Sequence, residues 1–244
     1  MQSIFAGAKL AGWLDEKRNV RIDHVGFGVV LGEDRKKFKC RSGESVRLRD
    51  LLDEGLQRSS AKLKEIVVKE KQRNQILTAD ELNKAQKSIA YGCIKYADLS
   101  HNRTGDYEFS FDKMLEVRGN TAVYLLSLAR CAGINNETLK QKASELDLNF
   151  ENDQRENKLA RCIVKYSDVY VRVLDDLLMH SLCEYMYQLA TTFTEFYDNC
   201  YCIEKDKITG ETIIHYKRIL LCEATGSVLN QCFKILGIHP LERM

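Results

Sequence analysis

Apolar residues recur along most of this chain at the spacing of amphipathic helices, and polar or charged residues fill the positions between them. The single proline, Pro240, lies close to the end, so the strongest helix breaker is absent before it. The pattern predicts a first helix over residues 3–14 that packs on a sheet. It also predicts a long amphipathic helix over about residues 46–73, with a charged, solvated tail.

A further helix is predicted to start at the capping box formed by Thr78 and Glu81 and to end near residues 100–105. A helix with one apolar face packs that face against neighbouring elements. The apolar face of this predicted helix consists of Leu82, Ala85, Ile89, Cys93, Ile94 and Ala97.

Two segments in this part of the chain have the composition of extended structure. Residues 24–30 form a short, β-prone apolar run, which is typical of a buried strand in an α/β sheet. Tyr107, Phe109 and Phe111 alternate with polar residues, which predicts a second short extended segment.

After Thr121 the pattern is helical, which predicts a bundle and a chain that is mainly α. The broadest apolar face extends over residues 169–197 and is expected at the bundle centre. Its aromatic residues suit either a core or a base-stacking platform, and their helical spacing favours the core. Residues 205–210 are predicted to form a loop. Residues 213–236 are predicted to form a last helix, closed by Gly237 as its C-cap.

The segment from Gly32 to Gly43, which follows the predicted strand, is dense in lysine and arginine. Ligands of open α/β sheets bind beyond the carboxyl ends of the strands, so a basic loop at this place is suited to a polyphosphate. Charge alone favours the alternative of a solvated surface loop. Charge-assisted hydrogen bonds to phosphate oxygens are available from Lys36, Lys37, Lys39 and Arg41.

Composition restricts the kinds of binding site, and the cell compartment, that the chain can be expected to have. The formal net charge is +2, so nucleic-acid binding would have to depend on local patches. Nine cysteines are scattered among helical patterns, with only Cys200 and Cys202 close together, which predicts reduced and mostly buried thiols. The five histidines share no ligand spacing, so no metal site is predicted. With no visible signal peptide and no stretch expected to reach the length of a membrane span, a cytosolic location is expected.

Particular residues resemble a known family. His24 to Phe27, followed by Lys37-Phe38-Lys39-Cys40-Arg41-Ser42-Gly43, resemble the catalytic segment of arginyl-tRNA synthetases. In that family the loop takes the place of the Lys-Met-Ser-Lys-Ser signature of class I synthetases, which holds the ATP phosphates. Cys40 stands where the family more usually has threonine, so a weak thiol donor replaces a hydroxyl. Residues 90–100, 109–115, 190–199, 236–238 and 242–244 resemble the same family.

The resemblance implies two domains, with a boundary near Gly119. Residues 1–118 would be the C-terminal part of a class I α/β, Rossmann-like catalytic domain, and residues 119–244 an all-α, DALR-type anticodon-binding bundle. The implied activity is that of an arginine-tRNA ligase, which activates arginine with ATP, as Mg-ATP, and transfers it to tRNA(Arg) in cytoplasmic protein synthesis. The implied partners are tRNA(Arg), arginine and ATP. Partners in a synthetase assembly stay open, and no membrane is expected.

The resemblance also assigns roles to residues. Lys37, Lys39 and Arg41 are implied as catalytic groups at the phosphates, with Ser42 beside them. The adenine is implied to lie against His24, Gly26, Phe27 and Gly28. Contacts with tRNA are implied for Tyr124, Arg130, Arg243 and Met244.

Two departures from the family pattern keep other interpretations open. The chain lacks the His-Ile-Gly-His motif and most of the arginine pocket, so the basic loop alone is expected to give little or no adenylate formation. The helix after Leu126 is shorter than in the family by about seven residues, close to two turns, where the family contacts the anticodon arm. The alternatives are a C-terminal portion of the ligase, a non-catalytic tRNA-binding or interaction module derived from it, and a decayed gene copy.

Overall fold

A computed structural model describes residues 1–14, 21–32, 47–70, 79–116, 153–206 and 209–239, together with Asn120, Leu125 and Phe150. Over residues 61–70 and 79–82 it describes the backbone only. The elements in chain order are α1 (Gln2–Leu10), β1 (Val30–Leu31), α2 (Leu48–Glu70), α3 (Ala79–Leu99), β2 (Tyr107–Glu108), α4 (Phe111–Met114), α5 (Gln154–Val164), α6 (Tyr166–Asp176), α7 (His180–Asn199), β3 (Ile203–Lys205), β4 (Thr212–Ile214) and α8 (Tyr216–Leu236).

The core of the C-terminal half is built around α7, which packs against α5, α6 and α8. Its buried side chains recur three or four positions apart, so they form one stripe along the helix. Phe193 and Phe196 are buried, which confirms that these aromatic residues belong to the core. Tyr197, near the C-terminal end of the helix, is exposed, with its ring 5.8 Å from that of Phe193. The buried stripe consists of Leu182, Cys183, Tyr185, Met186, Leu189, Ala190, Phe193 and Phe196.

Helix α3 joins the two halves of the protein. The buried Tyr96 donates its hydroxyl hydrogen bond to the backbone oxygen of Cys183 in α7, at 3.1 Å. On its other side α3 packs on α2, where a Cβ added at Gly55 would lie 3.0 Å from Cδ1 of Ile94. Glycine at this position therefore lets the two helices approach closely.

The predicted first helix and first strand differ from the structure. Helix α1 ends at Leu10 and has no buried residue, so the expectation that it packs on a sheet is wrong. Of the strand predicted over residues 24–30, only Val30 is paired in the sheet, together with Leu31 just beyond it, in parallel with β2. Val25 and Phe27 are exposed. An apolar run becomes a buried strand only where neighbouring strands supply hydrogen bonds, and β2 is the partner found among the described residues.

The predicted central face over residues 169–197 is interrupted. Leu177 has a positive φ of 56°, which ends α6 and separates it from α7. The last helix begins at Tyr216 and not at residue 213 as predicted, because Thr212–Ile214 form β4 and pair with β3 in an antiparallel hairpin. The described residues of the predicted loop lie between these two strands, apart from Lys205, which ends β3. The pairing of Thr212-Ile213-Ile214 with β3 gives these β-branched residues an extended conformation.

Several local predictions are confirmed. The bounds of α2 and α3 agree with the predicted helices to within a few residues. Gly237 has φ 63° and closes α8, and the amide of the buried Ile238 bonds back to the Phe233 oxygen at 2.9 Å. The seven cysteines in the described part of the chain form no disulfide, and all but Cys202 are buried.

Other predictions fall on residues that the structure does not describe. The Thr78 position of the capping box, the boundary at Gly119 and the shortened helix after Leu126 lie outside the described ranges. The side chain of Glu81 is likewise outside them, and so is the charged tail of α2.

Among the described helices, α8 is long and apolar enough to cross a membrane by length and composition alone. The expectation that no stretch reaches the length of a membrane span is therefore wrong for this helix. Half of its apolar window is nevertheless buried inside the protein, as in the core helix of a bundle.

We expect Gly237→Ala to lower the free energy of unfolding by about 1 kcal/mol, because a residue with a Cβ resists the left-handed conformation. The added Cβ would lie 3.5 Å from Nζ of Lys95, so crowding contributes little. Gly237→Asn is the matched control and is expected to cost less, since asparagine tolerates this conformation. Urea unfolding followed by circular dichroism measures both variants, and equal losses would contradict the explanation.

Candidate functional site

Of the residues implied to bind nucleotide, the structure describes those on the adenine side. His24, Gly26, Phe27 and Gly28 lie in the unpaired segment that leads into β1. The loop after Gly32 lies outside the described residues. The roles implied for Lys37, Lys39, Arg41 and Ser42 therefore stay predictions.

The segment before β1 is held by the loop that follows α3. The amide of Gly28 donates to the backbone oxygen of Arg103 at 2.7 Å. The amide of Val29 donates to Oδ1 of Asp106 at 2.7 Å. The guanidinium of Arg103 in turn donates to the backbone oxygen of Gly26. Three hydrogen bonds thus fix the backbone at Gly26, Gly28 and Val29, and the β1–β2 pairing continues the contact.

Gly28 is the residue of this segment that no other amino acid can replace without a shift. A Cβ added there would lie 2.1 Å from the backbone oxygen of Gly105, well inside contact distance. Gly26, two positions earlier, has nothing within 4 Å of an added Cβ. Of these two glycines, only Gly28 is needed for the close approach to the backbone of Gly105.

The loop after α3 is itself braced. His101 and Tyr107 stack with ring centroids 4.3 Å apart. The Tyr107 hydroxyl donates to Oδ1 of Asp98 at 2.7 Å, and burial together with this hydrogen bond raises the pKa of Tyr107. Oδ1 of Asn102 accepts from the amide of Thr104 at 3.1 Å, an Asx turn. This loop is therefore a firm support for the segment before β1.

A cavity of about 310 Å³ lies where these parts meet. Phe27, Gly28 and Arg103 line one part of it, and Leu177 and Met179, from the break between α6 and α7, line another. Nε of Arg103 is buried and has no hydrogen-bond partner in the part of the chain that the structure describes. The cavity thus has both apolar walls and a buried donor, which is the usual make-up of a small-molecule site.

Arg21 connects the same segment to the bundle. Its two terminal nitrogens donate to the backbone oxygens of Leu174 and Asp175, each at 2.7 Å. These oxygens lie at the C-terminal end of α6, where helix carbonyls have no partner within the helix. A guanidinium is also favoured there by the helix dipole.

Sequence reasoning missed Arg21, Arg103 and Asp106, and no motif in the chain points to them. Their role depends on contacts between residues 77 or more positions apart, which local patterns do not contain. The Asn102-Arg103-Thr104-Gly105 run does contain a local signal, because asparagine and glycine together favour a turn.

The implied tRNA-binding residues Tyr124, Arg130, Arg243 and Met244 lie outside the described ranges. The base of the C-terminal tail is described. Lys95 donates to the Gly237 oxygen and the Ser88 hydroxyl to the His239 oxygen, so α3 holds this base from two positions about two turns apart.

Clusters of three or more metal-ligating side chains are not found among the described residues. Magnesium enters only as part of the Mg-ATP substrate implied by the resemblance.

Comparison with known proteins agrees with this architecture. Residues 1–111 match the family described as tRNA synthetases class I (R), catalytic domain, and residues 124–244 match the DALR anticodon binding domain. The cytoplasmic arginine–tRNA ligase of Homo sapiens is 56% identical over 251 residues, which cover 100% of this chain and 37% of the relative. The corresponding protein of Xenopus tropicalis is 55% identical over 252 residues, with the same coverage.

Solved structures give the same result. The arginyl-tRNA synthetase of Plasmodium falciparum superposes with a TM-score of 0.74 at 31% identity, covering 100% of this chain and 39% of that structure. The Thermus thermophilus arginyl-tRNA synthetase, at 21% identity and a TM-score of 0.64 over 88% of this chain and 34% of that structure, shares the fold.

The helical bundle joined to an α/β fragment, with a family match to each, defines a class I aminoacyl-tRNA synthetase with its anticodon-binding domain. The chain belongs to the arginyl-tRNA synthetase family and corresponds to the C-terminal part of its members. It spans about 37% of the length of the curated relatives that it matches.

We expect Gly28→Ala to displace the segment before β1, because its Cβ cannot fit 2.1 Å from the Gly105 oxygen. The resulting strain is of the order of 1–3 kcal/mol. Gly26→Ala is the matched control and is expected to change little. Hydrogen exchange at the Tyr107 and Phe109 amides, which bond to β1 and its flank, measures the effect. Equal exchange in the two variants would contradict the assignment.

Proposed function

We propose that this chain is the C-terminal portion of a cytoplasmic arginine-tRNA ligase, which activates arginine with ATP and transfers it to tRNA(Arg). The observation that carries the proposal is the 55–56% identity to cytoplasmic arginine–tRNA ligases over the whole chain. Class I synthetases use ATP as a substrate, and this chain supplies one side of that site. It also supplies the anticodon-binding bundle.

On the adenine side, Gly26, Phe27 and Gly28 form a wall of the nucleotide site, with His24 at its edge. The exposed ring of Phe27, 85% accessible, supports this role because it is free to stack on a base. The cavity beside it and the unpartnered Nε of Arg103 support a ligand that accepts a hydrogen bond.

On the phosphate side, Lys37, Lys39 and Arg41 neutralise the phosphates of Mg-ATP, with Ser42 as a further donor. The charge on the phosphate oxygens redistributes as pyrophosphate leaves, so cations already in place there favour the transition state. The Cys40 thiol contributes less to phosphate binding than a threonine hydroxyl would.

The bundle binds the anticodon stem and loop of tRNA(Arg), with Tyr124, Arg130, Arg243 and Met244 as contacts. Lys95 and Ser88 support the role of the last two, because they anchor the tail that ends in Met244. Phosphate contacts provide affinity, and unstacked bases provide surfaces for specific contacts. Partners in a synthetase assembly would attach to this portion or to the rest of the ligase.

A second candidate is a non-catalytic tRNA-binding or interaction module derived from the ligase. The observation that favours it is the bundle, since residues 124–244 match the DALR anticodon binding domain and its described helices share a buried core. In the ligase the basic loop takes part in catalysis, whereas in the module it does not.

Alone, this chain is expected to show no arginine-dependent pyrophosphate exchange even with tRNA present, because groups on both sides of the phosphates are needed. Joined to the preceding residues of the Homo sapiens relative, it is expected to regain exchange. That gain should fall at least about tenfold in Lys37→Ala and Lys39→Ala.

Exchange by the chain alone would overturn the proposal that it holds one side of the site. A folded but inactive chimera would instead favour the non-catalytic module. The complete relative is the positive control in both assays.

We also expect the chain to bind tRNA weakly, with an affinity that falls as salt rises because phosphate contacts release counterions. Arg243→Ala is expected to reduce the slope of log affinity against log salt by about one. Arg49→Ala removes an equally positive, exposed side chain from α2 and serves as the control. Fluorescence anisotropy measures both, and a salt-independent isotherm or no binding at low salt would contradict the role of the bundle.

A further inference from the structure

Two thiols meet where the β3–β4 hairpin contacts α8. Cys202 immediately precedes β3, and Cys222 lies in the second turn of α8. Their sulfur atoms are 3.8 Å apart, within hydrogen-bond reach for a thiol pair. Cys222 is buried and Cys202 is partly exposed, so a small solute has access to one sulfur of the pair.

The backbone on both sides of this pair is fixed. The amide of His215, just before α8, donates to the Cys202 oxygen at 2.9 Å. Arg218, one turn before Cys222, donates to the Tyr201 oxygen at 2.8 Å and to Oε1 of Glu156 at 2.7 Å. The start of the hairpin is therefore tied to the first turns of α8 without involving either sulfur atom.

The hydrogen bond between the two thiols and the charges around them shift their pKa values in opposite directions. The hydrogen bond from Cys222, aided by the positive charge of Arg218, lowers the pKa of Cys202, against the opposing effects of burial and Glu156. The same hydrogen bond and burial raise the pKa of Cys222. Of the two, Cys202 is thus the thiol that ionises first, and Cys222 is the one that retains its proton. Burial raises the pKa of Cys183 and of Cys232 to about 12, so these thiols are poor nucleophiles.

We propose that Cys202 and Cys222 form a redox-sensitive site that closes to a disulfide when hydrogen peroxide reaches Cys202. The Cys202 thiolate attacks one peroxide oxygen, the O–O bond breaks, and a sulfenic acid forms while the leaving hydroxide takes up a proton as water. The Cys222 sulfur then attacks the Cys202 sulfur. The S–S bond forms, the S–O bond breaks, and the hydroxyl leaves as water with the Cys222 proton. Two thiols are oxidised by two electrons, and peroxide is reduced to two waters.

The step requires only a small movement. The sulfurs close from 3.8 Å to a bond of about 2.05 Å, and the partly exposed Cys202 lies at the end of a short strand. The disulfide would fasten the hairpin to α8. In a reducing compartment it would be reversed by thiols, which makes it a transient modification.

The test exposes the folded chain to hydrogen peroxide, blocks the remaining thiols with iodoacetamide, and maps tryptic peptides by mass spectrometry without reduction. The expected result is a Cys202–Cys222 cross-linked peptide, with Cys202 lost at least roughly tenfold faster than Cys232. A reductant should restore both thiols.

Variants separate the two steps. In Cys222→Ser the reaction should stop at the sulfenic acid, and dimedone should label Cys202. In Cys202→Ser, Cys222 should stay reduced. Cys200→Ser changes a neighbouring buried thiol and should leave the cross-link intact. The proposal is overturned if peroxide leaves Cys202 and Cys222 reduced in the folded chain while other thiols react, or if urea-unfolded chain forms the cross-link equally well.

Discussion

The packing of α7 against α3, α5, α6 and α8 removes its entire apolar stripe from water, and the other described parts of the bundle take their positions from it. Each large side chain of that stripe contributes about 1.5–3 kcal/mol through burial. Two tyrosine hydroxyls that enter this core are paired. The hydroxyl of Tyr185 donates to the Cys162 oxygen at 3.2 Å and joins α5 to α7, while the Tyr96 hydroxyl joins α3 to α7. Burial of these hydroxyls costs little because each has an acceptor.

The sequence was sufficient where one local signal determines structure. The periodic apolar residues of α3 and α7 predicted both helices and most of their buried face, since a stripe with helical spacing buries well only as a helix. Gly237 predicted the end of α8, because the left-handed conformation that closes a helix strongly favours glycine. The family and the fold class were likewise accessible, because they depend on which residues are present and in what order.

The sequence was insufficient where contacts with residues far away along the chain determine the local conformation. Leu177 lies within an apolar run that looks continuous, and nothing local shows that it adopts a positive φ between α6 and α7. The short apolar segment Thr212-Ile213-Ile214 is compatible with either a helix or a strand, and its pairing with β3 determines that it is a strand. The candidate site shows the same limit. Gly26 and Gly28 look alike in sequence, yet only Gly28 is pressed against a distant backbone.

Long-range contacts also explain how the segment before β1 and the helical bundle keep a fixed relation within one chain. Helix α3 bears the loop that holds the segment before β1, and along its length it binds α7 through Tyr96 and the end of α8 through Lys95. Arg21 adds a second connection from that segment to the end of α6. Tyr96 joins α3 directly to α7, and Arg21 is bonded to the end of α6, which packs on α7. A displacement of α7 relative to α3 would therefore strain at least one of these contacts. The segment before β1 and the base of the C-terminal tail are therefore both positioned by α3 and the loop that follows it.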